Sequence, residues 1–323
     1  MTGGASGRCA LVTGGAGFIG SHIADRLVED GWSVRILDDF SSGREENLAR
    51  CRDRIELLRG DLRDRELVAR GVRDAEIVFH QAALASVPRS IAEPERTNDV
   101  NVAGTLGLLE AARRAGVRRL VFAASSSAYG DAPTLPKVET MPANPMSPYA
   151  LQKYAGEVYC RLYTRLYGFE TVALRYFNVY GPRQDPRSEY AAVVPRFVMA
   201  CLRSQSPRIY GDGEQTRDFT FVSDAVQANL LAADAPRASG AMVNIAGGRR
   251  ISLNRLLREI IELTGAEVAP RHDPPRAGDV RDSLADLGRA GELLGYAPAV
   301  ELREGLLRTI DHFRKRLEGE LCE

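Results

Sequence analysis

The sequence predicts an α/β fold, with a doubly wound parallel sheet and a smaller C-terminal lobe. Over the first 180 residues, short β-branched runs alternate with longer segments of helical period. This alternation is typical of right-handed βαβ units, whose helices cover both faces of a parallel sheet. After Gly181 the pattern becomes irregular and rich in proline, and two amphipathic helices follow near the end. We therefore expect a sheet domain with a smaller lobe packed against it.

The individual elements follow from the change of period along the chain. Short β-branched runs predict strands at residues 9–12, 33–37, 77–79, 120–123 and 170–175. Apolar residues three and four apart predict helices at residues 17–30, 63–72, 97–115 and 149–167, and in the lobe at 253–264 and 302–317. We expect one domain from residues 1–181 with 218–246, and the lobe from 182–217 with 247–323.

The composition excludes several classes of protein. The 323 residues are 44% hydrophobic and 27% charged, which is typical of a soluble globular chain. Basic and acidic residues number 43 each, so no overall positive field would attract nucleic acid or a membrane surface. Five scattered cysteines and four unclustered histidines predict neither a disulfide framework nor a metal site. With no visible signal peptide or membrane-spanning segment, we expect a cytoplasmic protein.

A glycine-rich turn separates the first expected strand from the first helix. Gly14, Gly17 and Gly20 form a G-x-x-G-x-x-G pattern. Glycine at these positions permits a tight turn and lets backbone amides approach a pyrophosphate at the helix N-terminus. Asp38 and Asp39 end the next strand, where a carboxylate accepts hydrogen bonds from ribose hydroxyls and repels a 2′-phosphate. The turn and the acid together predict binding of NAD in preference to NADP.

A second signal is the pair Tyr149 and Lys153, which lies on one face of an expected helix because the spacing is i, i+4. A tyrosine with an ordinary pKa of about 10 is a poor base. An adjacent ammonium and a positively charged nicotinamide both favour the phenolate, so we expect the pKa of Tyr149 to be lowered. The serine run that begins at Ser125 follows an expected central strand, at the edge where open parallel sheets bind ligands.

Taken together, these motifs resemble the extended short-chain dehydrogenase/reductases, in particular the NAD-dependent epimerase/dehydratase family and its nucleotide-sugar 4-epimerases. The resemblance also includes residues 61–62, 80–83, 101–105, 123–130, 147–149, 174–182 and 217–219. It implies a Rossmann domain, tightly bound NAD and epimerisation of a UDP-hexose at C4 through a transient 4-keto sugar. It also implies a homodimer that is held by a four-helix interface, built from the helices at 97–115 and 149–167.

The resemblance assigns roles to individual residues. Tyr149 becomes the catalytic base, Lys153 its partner and a ligand of the nicotinamide ribose, and Ser125 a ligand of the sugar O4. The implied cofactor-binding residues are Gly14, Gly17, Phe18, Ile19, Gly20, Asp38, Asp39, Asp61, Leu62, Gln81, Ala82, Ala83, Asn101, Tyr149, Lys153 and Tyr176. The implied substrate-binding residues are Ser86, Ser125, Ser127, Asn178, Val194, Tyr210, Arg217, Arg276, Asp279 and Ser283.

The identity of the sugar is predicted from fewer residues. In related enzymes a large aromatic residue at the position of Ser283 excludes an N-acetyl group, so the small serine favours UDP-GlcNAc/UDP-GalNAc in addition to UDP-Glc/UDP-Gal. Arg183 is open to two interpretations, a ligand of a uronate carboxylate or a cap for backbone carbonyls. UDP-glucuronate 4-epimerase and a net nucleotide-sugar oxidoreductase therefore stay as alternatives. A non-catalytic NAD-binding regulator would be expected to lack Tyr149 and Lys153, and 4,6-dehydration would need an Asp and a Glu where Ser126 and Ser127 stand.

Overall fold

The computed structural model describes residues 7–186, 192–275 and 280–320. Its strands are β1 (Cys9–Thr13), β2 (Ser33–Asp38), β3 (Ile55–Arg59), β4 (Ile77–His80), β5 (Arg119–Ser125), β6 (Glu170–Tyr176), β7 (Val179–Tyr180), β8 (Arg208–Tyr210), β9 (Thr216–Asp218), β10 (Thr220–Phe221), β11 (Ala241–Ile245), β12 (Arg250–Ser252) and β13 (Arg271–Asp273). Its α-helices are α1 (Phe18–Glu29), α2 (Arg65–Val72), α3 (Val87–Ala92), α4 (Pro94–Asn98), α5 (Thr105–Arg114), α6 (Pro148–Tyr167), α7 (Val193–Leu202), α8 (Val222–Asp234), α9 (Leu253–Thr264), α10 (Gly288–Leu294) and α11 (Leu302–Glu320).

A seven-stranded parallel sheet forms the centre, in the order β11-β6-β5-β4-β1-β2-β3. In the register of the sheet, Val12 lies opposite Ile36 on one side and Phe79 on the other. The strand order reverses between β1 and β4, which opens a crevice at the carboxyl ends of these strands. The predicted doubly wound α/β fold is confirmed, and the crevice determines where a ligand can bind.

Helices cover both faces of the sheet because successive strand residues point to opposite sides. Val12 belongs to one core, together with buried side chains of α1, α8 and α10. Leu11 belongs to the other core, with side chains of α2, α5 and α6. A third core joins α7, α9 and α11 through residues such as Phe197, Leu256 and Phe313. This third core supports the elements that face the carboxyl edge of the sheet. The domain boundaries expected from the sequence stay a prediction.

Several elements differ from the expectation. The helix expected at 97–115 is composite, because α4 is followed by a π-helical segment, Asp99–Gly104, and then by α5. Strand β3 and helices α7, α8 and α10 were not predicted individually. Pro195 lies in the first turn of α7, where a missing backbone N–H costs no helical hydrogen bond. No helix in the described parts of the chain combines the length and the apolar character that a membrane span needs.

Candidate active site

The turn between β1 and α1 is closely packed backbone. Gly14 has a φ of +68°, and a Cβ at this position would lie 2.6 Å from the backbone nitrogen of Ala82. A Cβ at Gly20 would lie 2.1 Å from the carbonyl oxygen of Gly14. Since no side chain fits at either position, the N-terminus of α1 lies directly against the turn. Its free N–H groups point toward the crevice, where they can bind an anion.

One cleft at the carboxyl edge of the sheet brings most of the predicted cofactor residues together. It is lined by Gly14, Gly17, Phe18, Ile19, Gly20, Asp38, Asp39, Asp61, Leu62, Gln81, Ala82, Ala83, Tyr149, Lys153 and Tyr176. Asn101 is not part of this lining. Its buried side chain accepts a hydrogen bond from Leu84 N (2.8 Å) and donates one to Gln152 (2.8 Å), so it holds the chain behind the cleft.

The Asp38 carboxylate is held in place by backbone donors at the end of β2. One oxygen accepts a hydrogen bond from Ala16 N (2.8 Å) and the other from Phe40 N (2.8 Å). Burial raises the pKa of this carboxyl group, and the two donors oppose the shift. Asp38 therefore joins the glycine turn to the wall of the cleft, and its remaining lone pairs can accept ribose hydroxyls. A cradle that excludes Cβ atoms, followed by a fixed carboxylate, fits NAD.

The sequence reasoning missed other residues of the cleft. Ser41, Ser42, Arg44 and Asn47 follow Asp39 and line the same cleft. Arg44 donates to Asp185 (2.7 Å), and Asn47 donates to the carbonyl of Ala16 (2.8 Å). A cation a few residues beyond the ribose-binding acid was a signal that could have identified Arg44, because a cofactor diphosphate requires positive groups nearby.

Tyr149 and Lys153 are placed by the start of α6. The hydroxyl oxygen of Ser147 accepts a hydrogen bond from Ala150 N (3.2 Å), which caps the helix and puts Tyr149 in its first turn. Lys153 lies one turn later and donates from Nζ to the carbonyl of Ala123 (2.8 Å), at the end of β5. Burial lowers the pKa of Lys153 to about 8, so the group is still largely an ammonium at neutral pH.

The pKa of Tyr149 differs from the sequence-based expectation. Burial raises the pKa of this phenol, and a hydrogen bond with Ser125 opposes the shift. Lys153, whose Nζ donates to the Ala123 carbonyl, is not among the groups that lower it. The expectation that Lys153 lowers the pKa of Tyr149 therefore stays a prediction for the protein with NAD bound, where the positive charge of the oxidised nicotinamide also favours the phenolate.

Two neighbouring cavities collect the predicted substrate residues. Ser125, Ser127, Asn178, Arg217 and Ser283 line the first cavity. Ser86, Asn178, Val194, Tyr210 and Arg217 line the second cavity. Tyr149 lines both the second cavity and the cofactor cleft, while Tyr176 lines the cleft and the first cavity. The cofactor cleft therefore adjoins the second cavity at Tyr149 and the first cavity at Tyr176. The predicted ligands Arg276 and Asp279 lie outside the described residues.

Hydrogen bonds fix the walls of the first cavity. The Ser127 hydroxyl donates a hydrogen bond to the Ser125 hydroxyl oxygen (2.8 Å). The Asn178 amide donates to the carbonyl of Asp218 (2.9 Å), and the Ser283 hydroxyl accepts from Asp218 N (3.3 Å). Arg217 donates to the carbonyl of Arg281 (3.1 Å). Hydrogen bonds within the protein therefore position each of these side chains.

Arg183 matches neither of its two interpretations. Its guanidinium donates to the carboxylate of Asp25 on α1 (2.6 Å), and both side chains are largely buried. Arg183 lines the cofactor cleft and neither of the two substrate cavities. Its partner lies 158 positions away in the sequence, so only the folded chain brings the two charges together.

The histidine at the end of β4 is a buried packing residue. His80 is fully buried at the end of β4, where Nδ1 lies 2.7 Å from the Thr13 hydroxyl and Nε2 lies 2.9 Å from the Thr105 hydroxyl. Burial and the charge of Lys153 lower the pKa of His80 to about 3, so it is neutral at physiological pH. Across residues 7–186, 192–275 and 280–320, no group of three His, Cys, Asp or Glu side chains could hold a metal ion.

The fold and the cleft define a dinucleotide-binding α/β enzyme, and comparison with known proteins specifies the family. The model of the NAD dependent epimerase/dehydratase family matches residues 10–246. The chain is 46% identical to the UDP-glucose 4-epimerase of Mycolicibacterium smegmatis over 310 residues, which cover 95% of this chain and 98% of that protein. The chain therefore belongs to the NAD-dependent epimerase/dehydratase family, and NAD is its cofactor.

Two solved structures are similar to this chain in three dimensions as well as in sequence. The UDP-N-acetylglucosamine 4-epimerase from Methanobrevibacter ruminantium, in complex with UDP-N-acetylmuramic acid, is 40% identical with a TM-score of 0.92, and the match covers 96% of this chain and 99% of that one. The UDP-glucose 4-epimerase of Thermus thermophilus, in complex with NAD, is 39% identical with a TM-score of 0.87, covering 95% and 99% of the two chains. The similarity thus extends beyond the sheet to nearly the whole chain.

Proposed function

We propose that the protein is a UDP-sugar 4-epimerase, which keeps its NAD bound and regenerates it in each turnover. The observation that carries this proposal is the position of Tyr149. Its side chain lines both the cofactor cleft and the second cavity, and the Ser125 side chain favours its phenolate form by lowering the pKa that burial raises. A group at such a boundary can move a proton at the sugar while the reacting carbon faces the cofactor. The related proteins named above carry out the same class of reaction.

In the proposed mechanism Tyr149 removes the proton from the sugar O4, and Ser125 holds that oxygen by a hydrogen bond. NAD held by the glycine turn and Asp38 would supply a reversible hydride acceptor for C4. The resulting 4-keto sugar turns about its diphosphate linkage and presents its other face to the cleft. Tyr149 then reprotonates O4, so no proton or electron pair is lost over the cycle. Lys153 supplies a nearby positive charge, because its ammonium stays largely protonated at neutral pH although burial lowers its pKa to about 8.

For the sugar, we propose UDP-GlcNAc/UDP-GalNAc together with UDP-Glc/UDP-Gal. Ser283 is a small residue on the wall of the first cavity, where the resemblance predicts the gate for an N-acetyl group. Arg217 lines both cavities, and its guanidinium suits the charge of the diphosphate. Arg183, which would have favoured a uronate, is paired with Asp25 instead. This pairing with Asp25 supports the neutral sugars over UDP-glucuronate.

We also propose that the protein forms a homodimer through α5 and α6. The outer face of α6 exposes Leu151, Leu162 and Leu166, which recur at helical spacing. Helix α5 lies beside it, since the Tyr163 hydroxyl donates to Glu110 (3.3 Å). Two copies of this pair would form a four-helix interface that buries the leucines, and an apolar stripe of this kind is otherwise unfavourable in water. Sedimentation equilibrium of the wild type and of Leu162→Glu tests this, and a monomeric wild type would contradict it.

The epimerase proposal is tested with purified protein to which no cofactor is added. The protein is incubated separately with UDP-glucose, UDP-GlcNAc and UDP-glucuronate, and proton NMR follows the configuration at C4. We expect conversion of UDP-GlcNAc and UDP-glucose to their C4 epimers without net formation of NADH. Conversion of UDP-glucuronate alone would contradict the sugar assignment. A requirement for stoichiometric NAD or NADH would instead indicate a net oxidoreductase.

A further inference from the structure

The carboxylate of Asp218 lies behind the substrate cavities, at the end of β9. Its side chain has no exposed surface, and its two oxygens accept hydrogen bonds from Gly247 N (3.0 Å) and Ala285 N (3.1 Å). The backbone N–H groups of Gly248 and Arg249 also stabilise its charged form. A buried carboxylate is costly unless donors surround it. This arrangement therefore fixes β9 relative to two loops that are distant in sequence.

The main chain of the same residue contacts two side chains of the first cavity. Its carbonyl accepts the hydrogen bond from the Asn178 amide (2.9 Å), and its N–H donates to the Ser283 hydroxyl (3.3 Å). Arg217, which lines both substrate cavities, is the preceding residue on β9. Asp218 itself lines neither cavity and does not line the cofactor cleft. Asp218 thus contacts Asn178 and Ser283 and adjoins Arg217, but it does not line the cavities themselves.

The segment that carries Ser283 is attached to β9 on one side and to Lys137 on the other, where Lys137 N donates to the Leu284 carbonyl (2.7 Å). Thr216 N donates to the Arg281 carbonyl (3.1 Å), and Ser283 N donates to the Thr216 carbonyl (3.1 Å), so the segment runs beside β9. The Asp218 carboxylate adds the attachment at Ala285, just beyond Ser283. A wall that is tied on both sides of Ser283 cannot easily move away from Arg217. The Asp218 carboxylate is therefore one of the attachments that hold this wall opposite Arg217.

We propose that Asp218 is a positioning residue for the sugar nucleotide, which it serves by holding the Ser283 segment against the strand that carries Arg217. The inference rests on the proposed UDP-sugar function. Because Asp218 acts on the walls of the cavities and not on Tyr149, its loss should weaken substrate binding and leave the chemical step nearly unchanged. A purely structural role would lower stability without this separation of KM from kcat.

The chain provides a matched control for the structural role. Asp224 at the start of α8 is also buried, with 2% of its surface exposed. Its oxygens accept hydrogen bonds from Ala299 N (3.2 Å) and Val300 N (3.3 Å), so its chemistry resembles that of Asp218. Asp224 lines neither the cofactor cleft nor the substrate cavities. The two residues therefore differ in location but hardly in the kind of interaction.

The test compares Asp218→Asn with Asp224→Asn. In each variant an NH₂ group replaces one acceptor, so a buried backbone N–H loses its partner. We expect Asp218→Asn to raise KM for UDP-GlcNAc and UDP-glucose roughly tenfold, with kcat within about twofold of the wild type and unchanged NAD content. Asp224→Asn should lower Tm without changing KM. An unchanged KM in Asp218→Asn, an equal rise in both variants, or a loss confined to kcat would overturn the proposal.

A second measurement decides the question if Asp218→Asn does not fold. Hydrogen–deuterium exchange of the wild-type protein with and without UDP should show slower exchange at residues 246–249, which line neither cavity but share the Asp218 carboxylate with Ala285. Unchanged exchange there, with protection of the cavity residues, would contradict the positioning role. A wild type that binds UDP but epimerises no UDP-sugar would contradict the proposed function and leave this measurement interpretable.

Discussion

A single methyl group added at Gly20 should disrupt the cofactor cleft, although Gly20 lies inside a helix. On helix propensity alone, alanine in α1 would stabilise the protein by up to ~1 kcal/mol. The structure predicts the opposite, because a Cβ at Gly20 would lie 2.1 Å from the carbonyl oxygen of Gly14. Both groups are attached to the backbone, so the turn and α1 would have to separate by about 1 Å to restore an acceptable contact.

Gly17 provides the control, since a Cβ there would lie 3.1 Å from the same oxygen. That contact is tight, but a shift of a few tenths of an ångström relieves it. Overpacking of a rigid site costs ~1–3 kcal/mol, which corresponds to a roughly 5- to 150-fold weaker affinity for NAD when the displaced groups bind the cofactor. We expect an effect of this size for Gly20→Ala and a clearly smaller one for Gly17→Ala.

The assay measures NAD released from the purified protein on denaturation, together with Tm. Gly20→Ala should lose most of its NAD during extensive dialysis and unfold at a lower temperature than the wild type. Gly17→Ala should keep its NAD. The reasoning would be refuted by a Gly20→Ala protein that is more stable than the wild type and retains its cofactor, or by a larger effect at Gly17 than at Gly20.

Four further predictions concern the site and its pH dependence. Tyr149→Phe should lower turnover by about 10²- to 10⁴-fold and leave NAD and UDP binding unchanged. Near-normal activity in a folded variant would contradict the proposed mechanism. Asp38→Ala should lose the preference for NAD, measured as retained cofactor and as the ratio of NAD to NADP affinity, because its carboxylate lines the cleft. Ser283→Tyr should lower kcat/KM for UDP-GlcNAc selectively while activity on UDP-glucose persists, and an equal drop on both would argue against the gate. His80 has a pKa lowered to about 3 in the folded protein, against about 6.5 unfolded. The stability that depends on neutral His80 is complete above about pH 6.5 and is lost as pH falls toward 3, so denaturation curves between pH 7 and 5 should show a steeper decline in the wild type than in His80→Gln.

The spacing of apolar residues was sufficient to predict the elements that bury one clear face. Helix α9 runs from Leu253 to Thr264 as expected, because its apolar residues repeat cleanly and Ser252 caps its start. Strand β3 was missed because Ile55–Arg59 is an edge strand that contains charged residues, so its apolar run is short. The π-helical segment at Asp99–Gly104 was also invisible, since one extra residue in a turn barely disturbs the apolar pattern.

The candidate site was predictable where local motifs define it and not where distant segments meet. The glycine turn, Asp38 and the Tyr149/Lys153 pair are local patterns, and the structure places them around one cleft. The hydrogen bond from Lys153 to the Ala123 carbonyl could not be predicted, because it depends on how α6 packs against β5. The same is true of Asp218, whose donors come from positions near 247 and 285.

Two ion pairs at the rim of the cofactor cleft have a consequence for exchange with the surroundings. Arg183 pairs with Asp25 on α1, and Asp185 pairs with Arg44 in the loop after β2, so the segment that follows β7 is attached at two points beside the cleft. Both pairs border the cleft, so they oppose a widening of its rim. The epimerase proposed above would restore its own oxidant, so slow exchange of NAD through a stiff rim would cost it nothing. Its rate would then follow the supply of sugar nucleotide and would be insulated from swings in the ratio of free NAD to NADH.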